Sequence, residues 1–353
     1  MKNIFLKIGF FLFIGLLITY SSAKSQSNIN VLLEIVQEDK NAGTQDANTL
    51  LEGYMSPLMH GLGIGMNNGW FNTAAPHKSF GMDIGFVAGL AFVPDDELTF
   101  RPTNMNLIDD PQSDLPTIFG SSIAPQPLNL KSPRVGQVEM IPGIGMKDKI
   151  GFNAVPFAVP QIGLGIVKGT DIKFRFLPET SISNNSTIGL LGFGILHDIK
   201  QYLPVVKKIP FDLSVMVGYT KISMNMDLED PNTGTVGNAE IGFNSLIYQA
   251  LISKKLSVIT LYGGLGFSST NSGLKLLGDY DLDKDGVINL VPSGVDVQDP
   301  IDLSFKKGTP KFTAGFRLKL AIFTLNFDYT LQKYQSFNMG FGFSFRENDG
   351  GTI

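Results

Sequence analysis

Residues 336–345 read Ser-Phe-Asn-Met-Gly-Phe-Gly-Phe-Ser-Phe. Phe337, Met339, Phe341, Phe343 and Phe345 take alternate positions, and Ser336, Asn338, Gly340, Gly342 and Ser344 fill the others. Successive side chains of a strand point to opposite faces, so this is a strand with one apolar face and one small, polar face. The two segments before it repeat the pattern. Phe323, Leu325, Phe327, Tyr329 and Leu331 alternate with Thr324, Asn326, Asp328 and Thr330; Phe312, Phe316, Leu318 and Leu320 stand against Lys311, Thr313, Arg317 and Lys319. A soluble sandwich that buries the greasy face gives a similar alternation, so further signals have to decide.

Working towards the N-terminus, candidate strands lie near 256–267, 239–252, 210–221, 187–197, 171–177, 159–167, 148–156, 134–145 and 79–93. The first of them in the chain places Phe80, Met82, Ile84, Phe86, Ala88, Leu90 and Phe92 on one face. The total is about 12, and 10 and 14 stay open because 134–145 and 148–156 contain Pro142 and Pro156. With both chain ends on one side, short connections near 146–147, 168–170, 253–255 and 321–322, and a longer one at 198–209, fall together. Long polar connections at 94–133, 222–238 and 268–310 fall on the other side. Short periplasmic turns and long outer loops belong to outer-membrane barrels. The sequence therefore predicts an all-β chain, a transmembrane antiparallel β-barrel preceded by a short helical segment.

The N-terminus agrees with export. Lys2 and Lys7 precede a charge-free run from Ile8 to Tyr20, followed by Ser21, Ser22 and Ala23, the pattern of a signal peptide. Residues 1–23 are expected to be removed, with cleavage up to residue 26 as the alternative. Val155 to Val167, the longest weakly polar stretch, is interrupted by Pro156, Pro160 and Gln161, so a membrane-spanning chain must cross with strands. In residues 24–75, Leu32, Leu33, Ile35 and Val36 have helical spacing. Asp46 could cap a second short helix carrying Leu50, Leu51 and Tyr54 and ended by Pro57. This segment is either a plug inside the barrel or a periplasmic arm. The barrel itself is assigned to 76–346 and a tail to 347–353.

Composition narrows the function. Of 353 residues 43% are hydrophobic and 17% charged, which excludes disorder. A pI near 5.4 provides no basic footprint for nucleic acid. Cys 0 excludes disulfides and thiolate chemistry. Three histidines leave little for acid–base catalysis. His60 and His77 precede the first strand, and His197 ends a strand beside Asp198, where neighbouring side chains point to opposite faces. The expectation is no enzyme. Gly61, Gly63 and Gly65 lack the helix that a dinucleotide site needs after them and read as close packing at the barrel entrance.

Two groups of residues point to binding or shape. Asp281, Asp283 and Asp285, with Gly286 and Asn289, follow the opening of a calcium loop, although Pro292 stands at the twelfth position, where a carboxylate belongs. An outer-loop calcium site and a solvated acidic loop both fit. The lumenal charges are expected to be Asp83, Glu139, Asp212 and Asp328 against Lys173, Arg175, Arg317 and Lys319. A wide selective pore would show one dominant sign, so equal numbers predict a narrow or plugged lumen crossed by ion pairs, with Arg317 and Asp328 in one network.

Several segments carry a resemblance. Leu50 to Pro57, Asn67 to Ala74, Lys168 to Pro178, His197 to Gln201 and Gly340 to Arg346 resemble a family of uncharacterised outer-membrane barrels from Bacteroidota, over most of the mature chain. That family carries no activity to transfer. A helical segment ahead of a mid-sized barrel is distantly similar to the long-chain fatty-acid transporter barrels. Ser56-Pro57-Leu58 stands here where that class has an Asn-Pro-Ala-type turn. The expected function is passage or capture of a small or apolar solute in the bacterial outer membrane. The alternative is a non-transporting structural subunit of an outer-membrane complex. The expected partners are outer-membrane lipid, other outer-membrane proteins and an unspecified solute.

Overall fold

The computed structural model describes residues 35–109, 111, 113–131, 136–183, 185–204, 209–229, 236–280 and 296–346. Ten strands close into one antiparallel barrel: β1 (Met82–Phe92), β2 (Ala154–Gly165), β3 (Thr170–Ser183), β4 (Ser186–Asp198), β5 (Asp212–Glu229), β6 (Val236–Leu256), β7 (Ile259–Tyr280), β8 (Ile301–Leu320), β9 (Phe323–Leu331) and β10 (Ser336–Phe345). Each strand pairs with its neighbours in sequence, and β1 closes the ring on β10 with Phe86 opposite Phe341.

The strand number corrects the expected 12. Candidates 148–156 and 159–167 yield one strand, β2: only 154–156 of the first is strand, and β2 runs on through Pro156 and Pro160 to Gly165. Candidate 134–145 contributes no wall strand among its described residues, 136–145: only Gln137–Val138 bridges there, to Leu128–Asn129, within the long connection between β1 and β2. The turn expected at 146–147 is the start of a short helix, α2 (Met146–Ile150).

The turn end of the barrel carries the short connections at 166–169, 257–258 and 321–322 and the longer one at 199–211. The loop end carries the connection 93–153 and the ends of the long strands. Much of what reads as outer loop is strand. β5, β6, β7 and β8 have 18, 21, 22 and 20 residues, whereas β1, β9 and β10 have 11, 9 and 10. One side of the wall is therefore about twice as tall as the other.

The tall strands exchange the character of their faces part-way along. Near the turn end β8 points Phe312, Phe316 and Leu320 outward and Lys311, Thr313 and Arg317 inward. Towards the loop end the phase continues but the chemistry inverts: Asp302, Ser304 and Lys306 point outward, and Ile301, Leu303 and Phe305 are buried inside. β5 does the same, with Val215, Val217 and Tyr219 outside giving way to Lys221 and Ser223, while Ser214 and Thr220 inside give way to Ile222. On β6, Leu246, Tyr248 and Ile252 give way outside to Asn244 and Glu240. Water favours the polar outer surface and penalises the apolar one, so the two zones suit different surroundings. The apolar zone continues around the ring through Phe174, Phe176, Leu191, Phe193, Phe323, Phe337 and Phe341.

One long helix, α1 (Lys40–Gly65), precedes the barrel. Its N-cap is Asp39, whose carboxylate accepts from the N–H groups of Asn41 and Ala42 at 3.0 and 2.9 Å. Asp46 does not begin a second helix. It is buried and accepts from the N–H groups of Asn106, Leu107 and Ile108, tying the long connection to α1. Nor does Pro57 end the helix. Its missing N–H removes one rung, but the burial of Leu50, Tyr54 and Met59 on either side of it in the core carries the helix through.

The outer zone is directly testable. Phe312→Arg places a charge in the apolar belt and should cost roughly 2–4 kcal/mol, lowering the heat-modifiable folded fraction on gels. Ser304→Arg on the same strand and face should leave that fraction unchanged. Equal effects would contradict the two-zone surface.

Candidate functional site

The lumen is occupied by the chain itself. At its C-terminal end α1 is held between opposite walls, and the three alternate glycines make this possible. Gly61 and Gly65, four apart on one face, lie against Val155 and Phe157 of β2, while Gly63 faces the other way against Thr270 of β7. A Cβ on Gly65 would stand 2.5 Å from the Phe157 ring. An ordinary helix is about 10–12 Å across with side chains, and these glycines reduce it nearly to backbone.

Beyond Gly65 the chain runs as a thread down the lumen. Asn67 donates to Ser268 Oγ (2.8 Å) and to the Leu246 carbonyl (3.1 Å). Asn68 donates to Ser336 Oγ (2.8 Å) and accepts from Lys311 Nζ (2.6 Å). Gly69 has φ 71° and packs on Val87, a conformation and a closeness that glycine supplies. Trp70, fully buried, seats its indole against Gly194 and Gly218, where an added Cβ would come within 2.8 Å of it, with Gly192 beside it. The Arg175 guanidinium covers the indole at 3.8 Å. Arg175 donates to Gln161 Oε1 (2.9 Å), the Met66 carbonyl (2.7 Å) and the Asn68 carbonyl (2.6 Å). Lower down, Ala74 receives a bond from Ser214 and donates to Ser253, and His77 meets Asp171 at the turn end.

The residues expected to carry lumenal charge fall into distinct places. Arg175 and Lys173 are buried inside, the latter 3.7 Å from Asp83. Arg317 is buried and stands opposite Asn326 in register; Asp328 stands opposite Gly315 and accepts from Asn338 (2.5 Å) and Tyr262 (3.0 Å). Asp212 sits at the turn end, with Ser253 at 3.4 Å, and Lys319 is half-buried on the same inward phase as Arg317. Glu139 is off the wall, exposed in the connection between β1 and β2, because that segment is not a barrel strand. Asp281, Asp283, Asp285 and Asn289 lie outside the described residues. Sequence reasoning missed Trp70, Asn67, Asn68, Gln161 and Lys311. Their one sequence signal is the single Trp of the chain, in an Asn-rich segment.

At the turn end His77 Nδ1 lies 2.8 Å from Asp171 Oδ2 and Nε2 lies 3.3 Å from Ser344 Oγ. Acid, imidazole and hydroxyl are thus in the order of a hydrolytic triad. Yet Ser344 is 1% exposed and all three groups are buried, so no carbonyl can reach the hydroxyl in this arrangement. Asp171 also accepts from the His77 backbone N–H, which makes the cluster a pin for the thread where it leaves the lumen. His197 bonds Thr170 and Tyr202 in a turn.

A second fastening lies at the loop end. Glu97 accepts from Lys307 (2.9 Å) and from Tyr334, and His60 of α1 stands 3.6 Å away. Burial pushes the Glu97 carboxyl up, but the bonds from His60, Tyr334 and Lys307 outweigh it and hold it down at about 2.

Among the described residues the wall breaks between β2 and β3. The β2–β3 ladder runs only from Gly165↔Asp171 to Gln161↔Arg175. Towards the loop end β2 stays with β1 and β3 stays with β4, but not with each other. Gly165 exchanges bonds with the β1 side through Phe80 and Gly81, so alternate residues, including Pro160 and Pro156, turn their nitrogens towards β3. Neither nitrogen carries a hydrogen, and the ladder stops there. The break lies at the level of the apolar belt, since Pro160 and Pro156 pair across β1 with Phe86 and Leu90, which pair with Phe341 and Phe337. Arg175 and Gln161 form its foot.

Two measurements probe these fastenings. Trp70→Ala should cost about 3–5 kcal/mol, seen as a lower unfolding midpoint in detergent and faster trypsin cleavage at Lys78. An unchanged midpoint would contradict the packed thread. For Glu97, the folded pKa lies below the ordinary value of 4.5, so its stabilisation is present above that value and disappears as pH falls towards 2. Acidification across this window should lower the wild-type midpoint more than that of Glu97→Gln; parallel curves would exclude the role.

No curated protein matches the chain. Among solved structures, the chain is similar to Ail of Yersinia pestis (8% identity, TM-score 0.25, 75% of this chain and 97% of that one). It is also similar to the translocator domain of the autotransporter NalP from Neisseria meningitidis (9% identity, TM-score 0.28, 88% and 99%). A third is a BenF-like porin from Pseudomonas fluorescens Pf-5 (9% identity, TM-score 0.14, 75% and 98%). A family model matches residues 1–345, and the chain belongs to that family, DUF6588, a family of unknown function.

Proposed function

We propose that the protein is an integral outer-membrane barrel, closed to bulk flow by its own thread, that captures an apolar solute from the membrane through the side of its wall. The observation that carries this reading is the break between β2 and β3 inside the apolar belt. A solute dissolved among lipid chains reaches such a break without crossing the outer polar zone. Apolar side chains flank it, Phe157 and Val159 on one strand and Phe176 and Leu177 on the other. Arg175 at its foot offers a polar end-point whose present acceptors are neutral oxygens.

A second reading, a structural subunit of an outer-membrane complex, is favoured by the packed lumen. Trp70, Phe71 and the bonded asparagines leave the thread with the contacts of a permanent core.

One pair of experiments separates the two. Pro156→Val with Pro160→Val restores both missing donors and should let the ladder extend. Capture of a fluorescent long-chain alcohol from phosphatidylethanolamine vesicles should then fall several-fold, with folding retained. Unchanged capture, or none by the native protein, would leave the structural reading. In planar bilayers the native protein should show little steady conductance, and a large ohmic pore would refute closure.

A further inference from the structure

The contacts of α1 and the thread fix a direction. Reading along the chain, Asp46 binds the connection 93–153, and Asn48 donates to the Pro300 carbonyl just before β8 begins. Gly63 then meets Thr270, Asn67 meets Ser268, and Phe71 lies against Gly264. These β7 partners descend steadily from the loop end towards the turn end. Thr73 reaches Ser253 and His77 reaches Asp171, both beside the short turns. The segment therefore enters at the loop end and leaves at the turn end, where β1 starts.

Barrels of the outer membrane place long loops outside and short turns in the periplasm. We propose that the N-terminal end of α1 lies at the cell surface, so that the segment 40–77 crosses the membrane through the lumen from outside to inside. It is an additional crossing, enclosed by the other ten. The final strand, in contrast, ends at the periplasmic face, with Arg346 accepting from the Lys78 N–H. Gln37, Asp39 and Asn41 are exposed at the entry and would form part of the outer surface together with the connection 93–153. This inference rests on the outer-membrane reading but not on solute capture.

The chain contains Cys 0, so single cysteines can be labelled without background. Gln37→Cys and Asn41→Cys report the entry, Ile123→Cys the loop end and Tyr202→Cys the turn end; all four positions are exposed. Intact cells are treated with a membrane-impermeant maleimide, before and after permeabilising the outer membrane. Gln37→Cys and Asn41→Cys should label in intact cells as fully as Ile123→Cys. Tyr202→Cys should rise at least tenfold on permeabilisation. If Ile123→Cys and Tyr202→Cys differ as stated but the entry positions follow Tyr202→Cys, the direction of the thread is overturned while the membrane barrel stands. If Ile123→Cys and Tyr202→Cys label alike, the membrane-spanning reading itself falls. If only Tyr202→Cys labels in intact cells, the surface assignment is overturned.

Discussion

The space inside a ten-stranded ring constrains the rest of this molecule. An eight-stranded barrel is just filled by its own side chains, and two more strands add little width. A helix that enters such a space must shed its side chains on the faces that touch the wall, and Gly61, Gly63 and Gly65 do so on both. Where the lumen is polar the helix gives way to a thinner, extended chain. There Asn67, Asn68 and Arg175 satisfy backbone and side-chain groups that lie far from water. A buried polar group without a partner costs about 1–3 kcal/mol, so the pairing of each is a condition of the arrangement.

The same barrel wall has two characters along its height. Around its base it has the inverted character of a membrane barrel, apolar outside and polar within. Above that it has the ordinary character of a soluble β-domain, and the core formed by Leu50, Met59, Ile222, Phe243, Leu303 and Phe305 joins helix, connection and strands. The strand phase never changes; only the placement of apolar residues within it does. The fastening at Glu97 lies in this upper body and the pin at His77 lies at the base, so the segment 40–77 is held at both ends.

Much of the barrel was legible in the sequence, and the errors share a cause. Residues 312–345 alternate cleanly because Phe and Leu mark one face throughout. The described parts of 222–238 and 268–310 look like polar loop because the greasy positions there, such as Leu276 and Leu303, change to the inner face while the outer ones turn to Asn, Lys and Asp. Pro156 and Pro160 divide β2 into two apparent strands, although their edge lacks a neighbour and so tolerates them. The site around Trp70 needs Arg175, Gly194 and Gly218 from three other strands. Such a meeting is a product of barrel closure and leaves no local spacing to read.

The ring closes by joining β1 to β10, the first barrel strand to the last. The segment ahead of β1 passes through that ring, so the molecule is interlocked like a bead on its own string. Trp70 is seated on glycines of β4 and β5 and Phe71 on Gly264 of β7, so the filling of the base and the closure of the ring are complete only together. A linear chain has thereby become one in which the segment 40–77 cannot leave sideways while the β1–β10 seam holds.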